Sequence, residues 1–185
     1  MDKRIYHSKL QIAKTLFQRL EKDNFHVLTV SEITAYAEVS RSTFYRHFRN
    51  KYAVVEFFME TLLDDYLAEV ERQGVKDFES LLVLYFNFWK ERKGYIDLLK
   101  RQHLLDLAFD VQRKKLLRLL PDSSLPWHGM AEVDETFTDL LVIGGIWTIL
   151  LYWFENGLNL TDTELAHKIL QELNFYKNFI NKEVD

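Results

Sequence analysis

The sequence predicts an all-α protein, with an N-terminal three-helix domain that contains a helix-turn-helix and a C-terminal helical domain behind it. Three observations carry that prediction. Apolar residues recur at three- and four-residue steps, as in Ile12, Ala13, Leu16, Phe17 and Leu20, or again in Leu165, Ile169 and Leu173. Two capping boxes, Thr29-x-x-Glu32 and Thr161-x-x-Glu164, mark helix starts far apart in the chain. Both prolines, Pro121 and Pro126, fall in a single short loop.

Residues 3–22 read as an amphipathic helix, with Lys3, Arg4, Lys9 and Lys14 between the apolar positions. These lysines are either scaffold or, for Lys3 and Arg4, a basic arm able to reach phosphate or the minor groove. At Thr29 the hydroxyl can accept from the Glu32 backbone N–H while the Glu32 carboxylate reaches back, and Leu28 and Ile33 are placed as a hydrophobic staple. The helix that follows ends near Glu38. Ser40 is the next good N-cap, and Arg41 to Phe48 can form a second short helix that buries Phe44 and Phe48. Its other side shows Arg41, Ser42, Thr43, Tyr45, Arg46 and His47.

Helix, short turn, helix is the geometry that sets a recognition helix into the major groove of DNA. Arg41 and Thr43 are the candidates for base contact, with Ser42 beside them and Thr29 at the start of the first helix. An Arg there can grip guanine through two parallel hydrogen bonds, worth roughly 1–3 kcal/mol of discrimination. Tyr45, His47 and Lys51 lie where phosphates should pass. Asn50 can cap the next helix, so that its free N–H groups and Lys51 together form an anion site.

The run Val39-Ser40-Arg41-Ser42-Thr43-Phe44-Tyr45-Arg46-His47-Phe48, followed by Asn50-Lys51, resembles the TetR family of dimeric, one-component transcription regulators. Ile12-Ala13-x-x-Leu16-Phe17 and Thr29-Val30-x-x-Ile33 match as well, so the resemblance covers about the first fifty-five residues. Two positions depart from it: Glu38 stands where many members have Gly, and Ser42 where a small Gly or Ala is commoner. If Glu38 takes a positive φ, the cost is about 1–2 kcal/mol relative to Gly.

Beyond Asn50 a long helix is predicted from Tyr52 to about Arg72, ended by Gly74. Asp77 to Arg92 is the next, and Gly94 punctuates. Tyr95 to Leu120 is helical with a break near Gln102, and Pro121 to Pro126 is a loop. Leu140 to Phe154 is nearly unbroken hydrocarbon, about 22 Å as a helix and too short alone to cross a bilayer. A helix apolar all round must be covered on every side, and a partner subunit offers cover. Gly144 and Gly145 would admit a second backbone, and Trp147 is of a type enriched at interface cores. With Leu151 and, on the last helix, Leu165, Ile169 and Tyr176, they form the expected homodimer interface, a two-fold four-helix arrangement that the family resemblance also implies. Gly145-x-Trp147 and Trp153-x-x-x-Gly157 are similar, more loosely, to the C-terminal domain of a branch common in low-GC Gram-positive bacteria. Two domains are expected, 1–51 for DNA binding and 52–185 for regulation and dimerisation.

Composition bounds the rest. The chain is −4 overall, but residues 1–52 hold ten Lys and Arg against five Asp and Glu, net +5, and the remainder fourteen against twenty-three, net −9. Only the N-terminal third is therefore suited to nucleic acid. No cysteine is present, which removes disulfides and thiolate sites. The charged N-terminus does not read as a signal peptide, and a soluble, cytoplasmic protein without membrane attachment is expected. His7, His26, His47, His103, His128 and His167 are scattered without ligand spacing, so no metal or other cofactor is expected. Arg113, Lys114, Lys115 and Arg118 read as a solvated helix face. No Gly-rich phosphate loop, Cys nucleophile or recognisable carboxylate pair supports an enzyme. Tyr85, Trp89, His103 and Phe109 are either core and surface residues or the lining of a small-molecule site in the middle helices.

The expected function is that of a transcription regulator, a homodimeric repressor on a near-palindromic operator of double-stranded DNA, its half-sites about 34 Å or a multiple apart. An unidentified small effector would release it by tilting the long helix, a full switch requiring about 5.5 kcal/mol of preference between states. The alternative is a regulator or coactivator whose C-terminal domain binds a protein partner, as some relatives of the resembled branch do.

Overall fold

The computed structural model describes residues 3–119, 125–131 and 133–180, and of residues 174–180 the backbone alone. Nine helices and no strand occur among the described residues: α1 (Lys3–Leu20), α2 (Val30–Tyr36), α3 (Arg41–His47), α4 (Lys51–Gln73), α5 (Phe78–Glu91), α6 (Lys93–Arg101), α7 (Leu105–Leu119), α8 (Glu135–Glu155) and α9 (Asp162–Ile180). The chain is all-α, as its spacing predicts. The loop expected at Pro121 to Pro126 falls, for Pro121 to Ser124, outside the described residues.

Packing divides the chain into two compact units, residues 1–65 with 94–115 and residues 66–93 with 116–185. The first unit thus holds more than the expected domain 1–51: it adds the first part of α4, α6 and most of α7. Ile12, Ala13, Leu16, Phe17 and Leu20 line the inner side of α1 and are buried. The Phe17 ring stacks on Phe58 of α4 at 4.0 Å and meets Tyr95 of α6 edge-on at 5.9 Å. Lys115 of α7 reaches α4, pairing with Asp64 at 2.5 Å and donating to the Glu60 carbonyl at 3.1 Å. The break expected near Gln102 separates α6 from α7, and His103 there takes φ +57°.

In the second unit, α5 packs most extensively on α9. Trp89 is fully buried, with the rings of Phe88 and Trp147 edge-on at 5.5 and 6.4 Å. Phe86 meets Trp153 at 5.7 Å, and the Trp153 indole N–H donates to the Leu160 carbonyl at 3.0 Å, pinning α8 to the start of α9. The second capping box forms: Thr161 N–H donates to Glu164 at 2.8 Å and Glu164 N–H to the Thr161 hydroxyl at 3.2 Å.

α8 starts at Asp134, whose carboxylate caps it, and so runs 21 residues, longer than its hydrocarbon run. By length and composition it could cross a bilayer, which corrects the expectation drawn from the apolar run alone. Its inner side is a protein core, with Ile143, Ile146, Trp147, Leu150, Trp153 and Phe154 buried. Asp139 on that side is buried too, accepting from Trp127 Nε1 at 2.8 Å and lying 3.2 Å from His128 Nε2. A buried, bonded carboxylate facing hydrogen-bond donors suits a globular interior better than lipid.

Candidate nucleic-acid interface

α2 begins with the predicted capping box, Thr29 N–H to Glu32 at 2.8 Å and Glu32 N–H to the Thr29 hydroxyl at 3.3 Å. The donated backbone bond holds the Glu32 carboxyl below the usual carboxylate range, so the cap is ionised at neutral pH. Leu28 and Ile33, the positions expected to form the staple, are both buried. The helix ends in a turn at which Glu38 takes φ +53° and Val39 N–H donates to the Thr34 carbonyl at 3.0 Å. That is the left-handed conformation that favours glycine, held here by a non-glycine residue. Gln11 of α1 ties the turn down by donating to the Ala37 carbonyl at 2.8 Å.

α3 is seven residues long and starts at Ser40, whose hydroxyl accepts from Thr43 N–H at 3.0 Å. Phe44 and Phe48 are buried, their ring centroids 5.8 Å apart, and anchor one side. Arg41, Ser42, Tyr45 and Arg46 are exposed on the other, and Thr43 and His47 are half-buried at its margin. The Thr43 hydroxyl lies 2.9 Å from that of Ser40, so it joins the cap as well as facing outward. Burial first, then the Arg46 and Lys9 cations, lower the His47 pKa below the ordinary imidazole value. Arg46, placed on this side by the sequence but not among the expected DNA contacts, adds a second guanidinium to the exposed face.

Two of the expected contact residues are engaged within the free chain. The Thr29 hydroxyl donates to Glu32 at 2.7 Å while accepting from its N–H, so it serves the cap. Lys51 does not turn outward. An ammonium has three donors, and those of Lys51 reach the carbonyls of Phe25 at 2.5 Å, His26 at 3.0 Å and Leu28 at 2.9 Å. Lys51, expected at a phosphate, clasps the α1–α2 loop in the free chain, and its partial burial there lowers its pKa. Asn50 does cap α4, accepting from Ala53 N–H at 3.0 Å.

The other candidate residues separate. Tyr85 and Trp89 are neighbours in the second unit, ring centroids 6.4 Å apart, whereas His103 and Phe109 belong to the first. His103 is exposed at the α6–α7 turn, and Phe109 is half-buried on α7. Trp89 Nε1 is buried and has no hydrogen-bond acceptor among the described residues. Of the expected interface set, Trp147, Leu165 and Ile169 are buried within the chain itself. Gly144 and Leu151 are half-buried and Gly145 is exposed, while the side chain of Tyr176 lies outside the described residues. Sequence reasoning missed the residues that share the open face of α8 with Gly145: Phe137 is 69%, Leu141 76% and Tyr152 65% exposed. At helical spacing 137, 141, 145, 148 and 152 fall on one side.

Residues 13–56 match the family model described as bacterial regulatory proteins, tetR family. No curated protein matches the chain. Among solved structures, a Listeria innocua protein superposes with a TM-score of 0.77 at 19% identity, over 95% of this chain and 94% of that one. A TetR transcriptional regulator from Streptococcus agalactiae gives 0.63 at 20% identity, over 92% and 96%. The fatty acid degradation regulator FadR from Bacillus halodurans gives 0.60 at 20% identity, over 89% and 93%. At these identities the likeness is one of fold, and it extends well past the segment the family model covers.

Proposed function

Residues 13–56 make this chain a member of the tetR family of bacterial regulatory proteins, and from that premise we propose that it is a cytoplasmic, homodimeric repressor of transcription. It reads a near-palindromic operator with α3 and leaves that operator when a small ligand binds. Residues 1–51 are its DNA-reading domain and 52–185 its regulatory and dimerisation domain. The single observation that carries the reading is the two-sidedness of α3: Phe44 and Phe48 fix it from behind while Arg41, Ser42, Tyr45 and Arg46 stand in solvent. Arg41, at the N-terminal end, takes a base edge, and the side chains toward the C-terminal end take phosphates.

Dimerisation is supported by α8. Helix-interior glycine is destabilising by roughly 0.5–1 kcal/mol relative to Ala, and α8 has two in succession. A Cβ added to Gly144 or Gly145 would meet nothing within 4 Å, so the chain's own packing gives no reason for either. Close approach of a second backbone gives one, and the exposed Phe137, Leu141 and Tyr152 supply the apolar area around it. Release by a ligand is supported by the Trp89 indole, a buried donor lacking an acceptor that a ligand oxygen could supply.

The test is selection of genomic fragments by the purified protein, with sedimentation alongside. Expected are fragments sharing an inverted repeat with half-sites one or two helical turns apart, bound by a dimer. A monomer indifferent to double-stranded DNA at low ionic strength overturns the proposal. A second reading, in which the C-terminal unit holds a protein partner, is favoured by the close ring packing around Trp89. If Trp89→Phe leaves release from the operator by metabolite extracts unchanged and only a protein fraction alters binding, that second reading holds.

A further inference from the structure

The loop between α1 and α2 is held from two directions. Lys51 at the start of α4 holds the carbonyls of Phe25, His26 and Leu28. From the α6–α7 turn comes Gln102, which is only 7% exposed. Its Oε1 accepts from Phe25 N–H at 2.8 Å, and its Nε2 donates to the carbonyls of Leu20 at 2.7 Å and Asp23 at 2.9 Å. A primary amide has two N–H donors and one carbonyl acceptor, so every polar atom of this side chain is engaged. The two clasps meet at Phe25, whose N–H is taken by Gln102 and whose carbonyl is taken by Lys51. The buried Phe25 ring lies beneath the Lys51 ammonium at 4.8 Å.

The turn that carries Gln102 is itself fixed. Gln102 N–H donates to the Leu98 carbonyl at 3.0 Å and Leu104 N–H to that of Leu99 at 2.8 Å, with His103 between them at φ +57°. A non-glycine residue stays in that conformation where surrounding contacts over-determine it, and the bonds of Gln102 are such contacts. An apolar side chain at this position could fill the space, but it would leave one buried N–H and two carbonyls unpaired and would permit sliding. Three directional bonds permit one register.

The held loop ends at Thr29, the N-cap of α2, and therefore sets where the helix-turn-helix begins. We propose that Gln102 is a positioning residue for DNA reading: by clasping the α1–α2 loop it fixes α2 and α3 against α6 and α7. A displacement of the α6–α7 turn is then delivered to the recognition helix as a change in the spacing of two reading heads. This inference rests on the dimeric, DNA-reading function proposed above.

The test is a binding-site selection in which two half-sites are separated by a spacer of randomised length, run on the full chain and on Q102M and Q102E, with thermal unfolding measured in parallel. The variants should keep the wild-type half-site preference, bind the wild-type spacing about tenfold more weakly, and accept neighbouring spacings that the wild type rejects. Tenfold lies within the range usual for coupling between sites. An unchanged spacing profile overturns the inference, and so does a uniform loss at all spacings that merely follows a lowered unfolding temperature. Where neither variant folds, the wild type decides: exchange of the Phe25 amide hydrogen should slow on adding DNA, and unchanged exchange overturns the inference. A wild type that selects no sequence at all is recognisable by that result, and it removes the proposed function together with the inference.

Discussion

α3 and α8 each leave one face uncovered, and water treats the two faces in opposite ways. The open side of α3 carries guanidinium, hydroxyl and phenol groups that water solvates well. That of α8 carries Phe137, Leu141 and Tyr152 around a glycine pair. A solvated polar face is stable on its own and takes a partner only where donor geometry and charge reward the exchange, so its binding is reversible and weakened by salt. A hydrocarbon face gains at roughly 25 cal/mol per Å² covered, without regard to direction, and so calls for lasting cover. The molecule should therefore be a dimer first and a DNA ligand second.

The largest expected effect comes from breaking the apolar side. A Cβ added at the exposed Gly145 meets nothing within 4 Å, so the Gly145→Leu protomer should fold and keep its helical circular dichroism. In the proposed dimer, two-fold symmetry would place the added side chain at the interface twice, and overpacking costs about 1–3 kcal/mol per site. The dimer dissociation constant should rise at least about a hundredfold, or about 2.7 kcal/mol. A variant still dimeric at nanomolar concentration in sedimentation removes α8 from the interface.

On the polar side, two cations close together in sequence separate holding from reading. Lys51→Ala removes a charged donor from three carbonyls, and bonds to charged groups contribute about 1.5–3 kcal/mol. It should lower stability by about 2 kcal/mol in denaturant unfolding while leaving the salt slope of DNA binding unchanged. A phosphate-binding lysine would do the reverse, sparing stability and reducing that slope by about one. Arg41→Ala should spare stability, weaken operator binding by roughly 1–3 kcal/mol, and relax base preference at one position of each half-site. An unaltered preference in a site selection removes Arg41 from the base edge.

These two regions were legible to different depths. The head could be read because its signals are local: a Thr and a Glu three apart, a Ser before Arg41, a helix short enough that Phe44 and Phe48 define its inner side. All of these form as expected. α8 was legible as a helix but not as a surface. Periodicity assigns sides by contrast between apolar and polar residues, and fifteen nearly unbroken apolar residues offer none, so the sequence does not tell that Trp147 is buried beside Trp89 within the chain while Phe137, Leu141 and Tyr152 are exposed. The hold of Lys51 and Gln102 on the α1–α2 loop is illegible for a third reason. Their partners are backbone atoms 23 to 26 and 77 to 82 residues away, and a carbonyl leaves no mark in the sequence.

The turn between α2 and α3 sharpens the polar side further. Glu38 stands at φ +53° and is exposed, so Glu38→Gly should relieve backbone strain without loss of a buried contact. A stabilisation of about 1 kcal/mol is expected in thermal unfolding. Removing the carboxylate should also strengthen DNA binding, and Glu38→Gln separates the two, since it keeps the strain and drops the charge. No gain in stability from the glycine would mean that contacts at the turn offset its conformational cost.

The smallest effect is the most diagnostic of the interface, because it changes sign between the free and bound protein. Burial and two neighbouring cations lower the His47 pKa in the free protein, so its imidazole is neutral at pH 7. An unfolded chain, with an imidazole pKa near about 6.5, takes up the proton first as pH falls. The contribution of His47 to stability is therefore fully present above that value and diminishes as pH drops toward the depressed folded pKa. A phosphate beside the ring favours the charged form and raises its pKa in the complex, so DNA binding takes up a proton. Affinity should then rise as pH falls through the same window, by a few-fold between about pH 7.5 and about pH 6, and the rise should vanish in His47→Gln. Acidification would thus loosen the protein and tighten its grip on DNA through one side chain. If affinity instead falls in step with stability, or rises equally in the glutamine variant, no phosphate lies at His47, and the polar face of α3 ends short of its last turn.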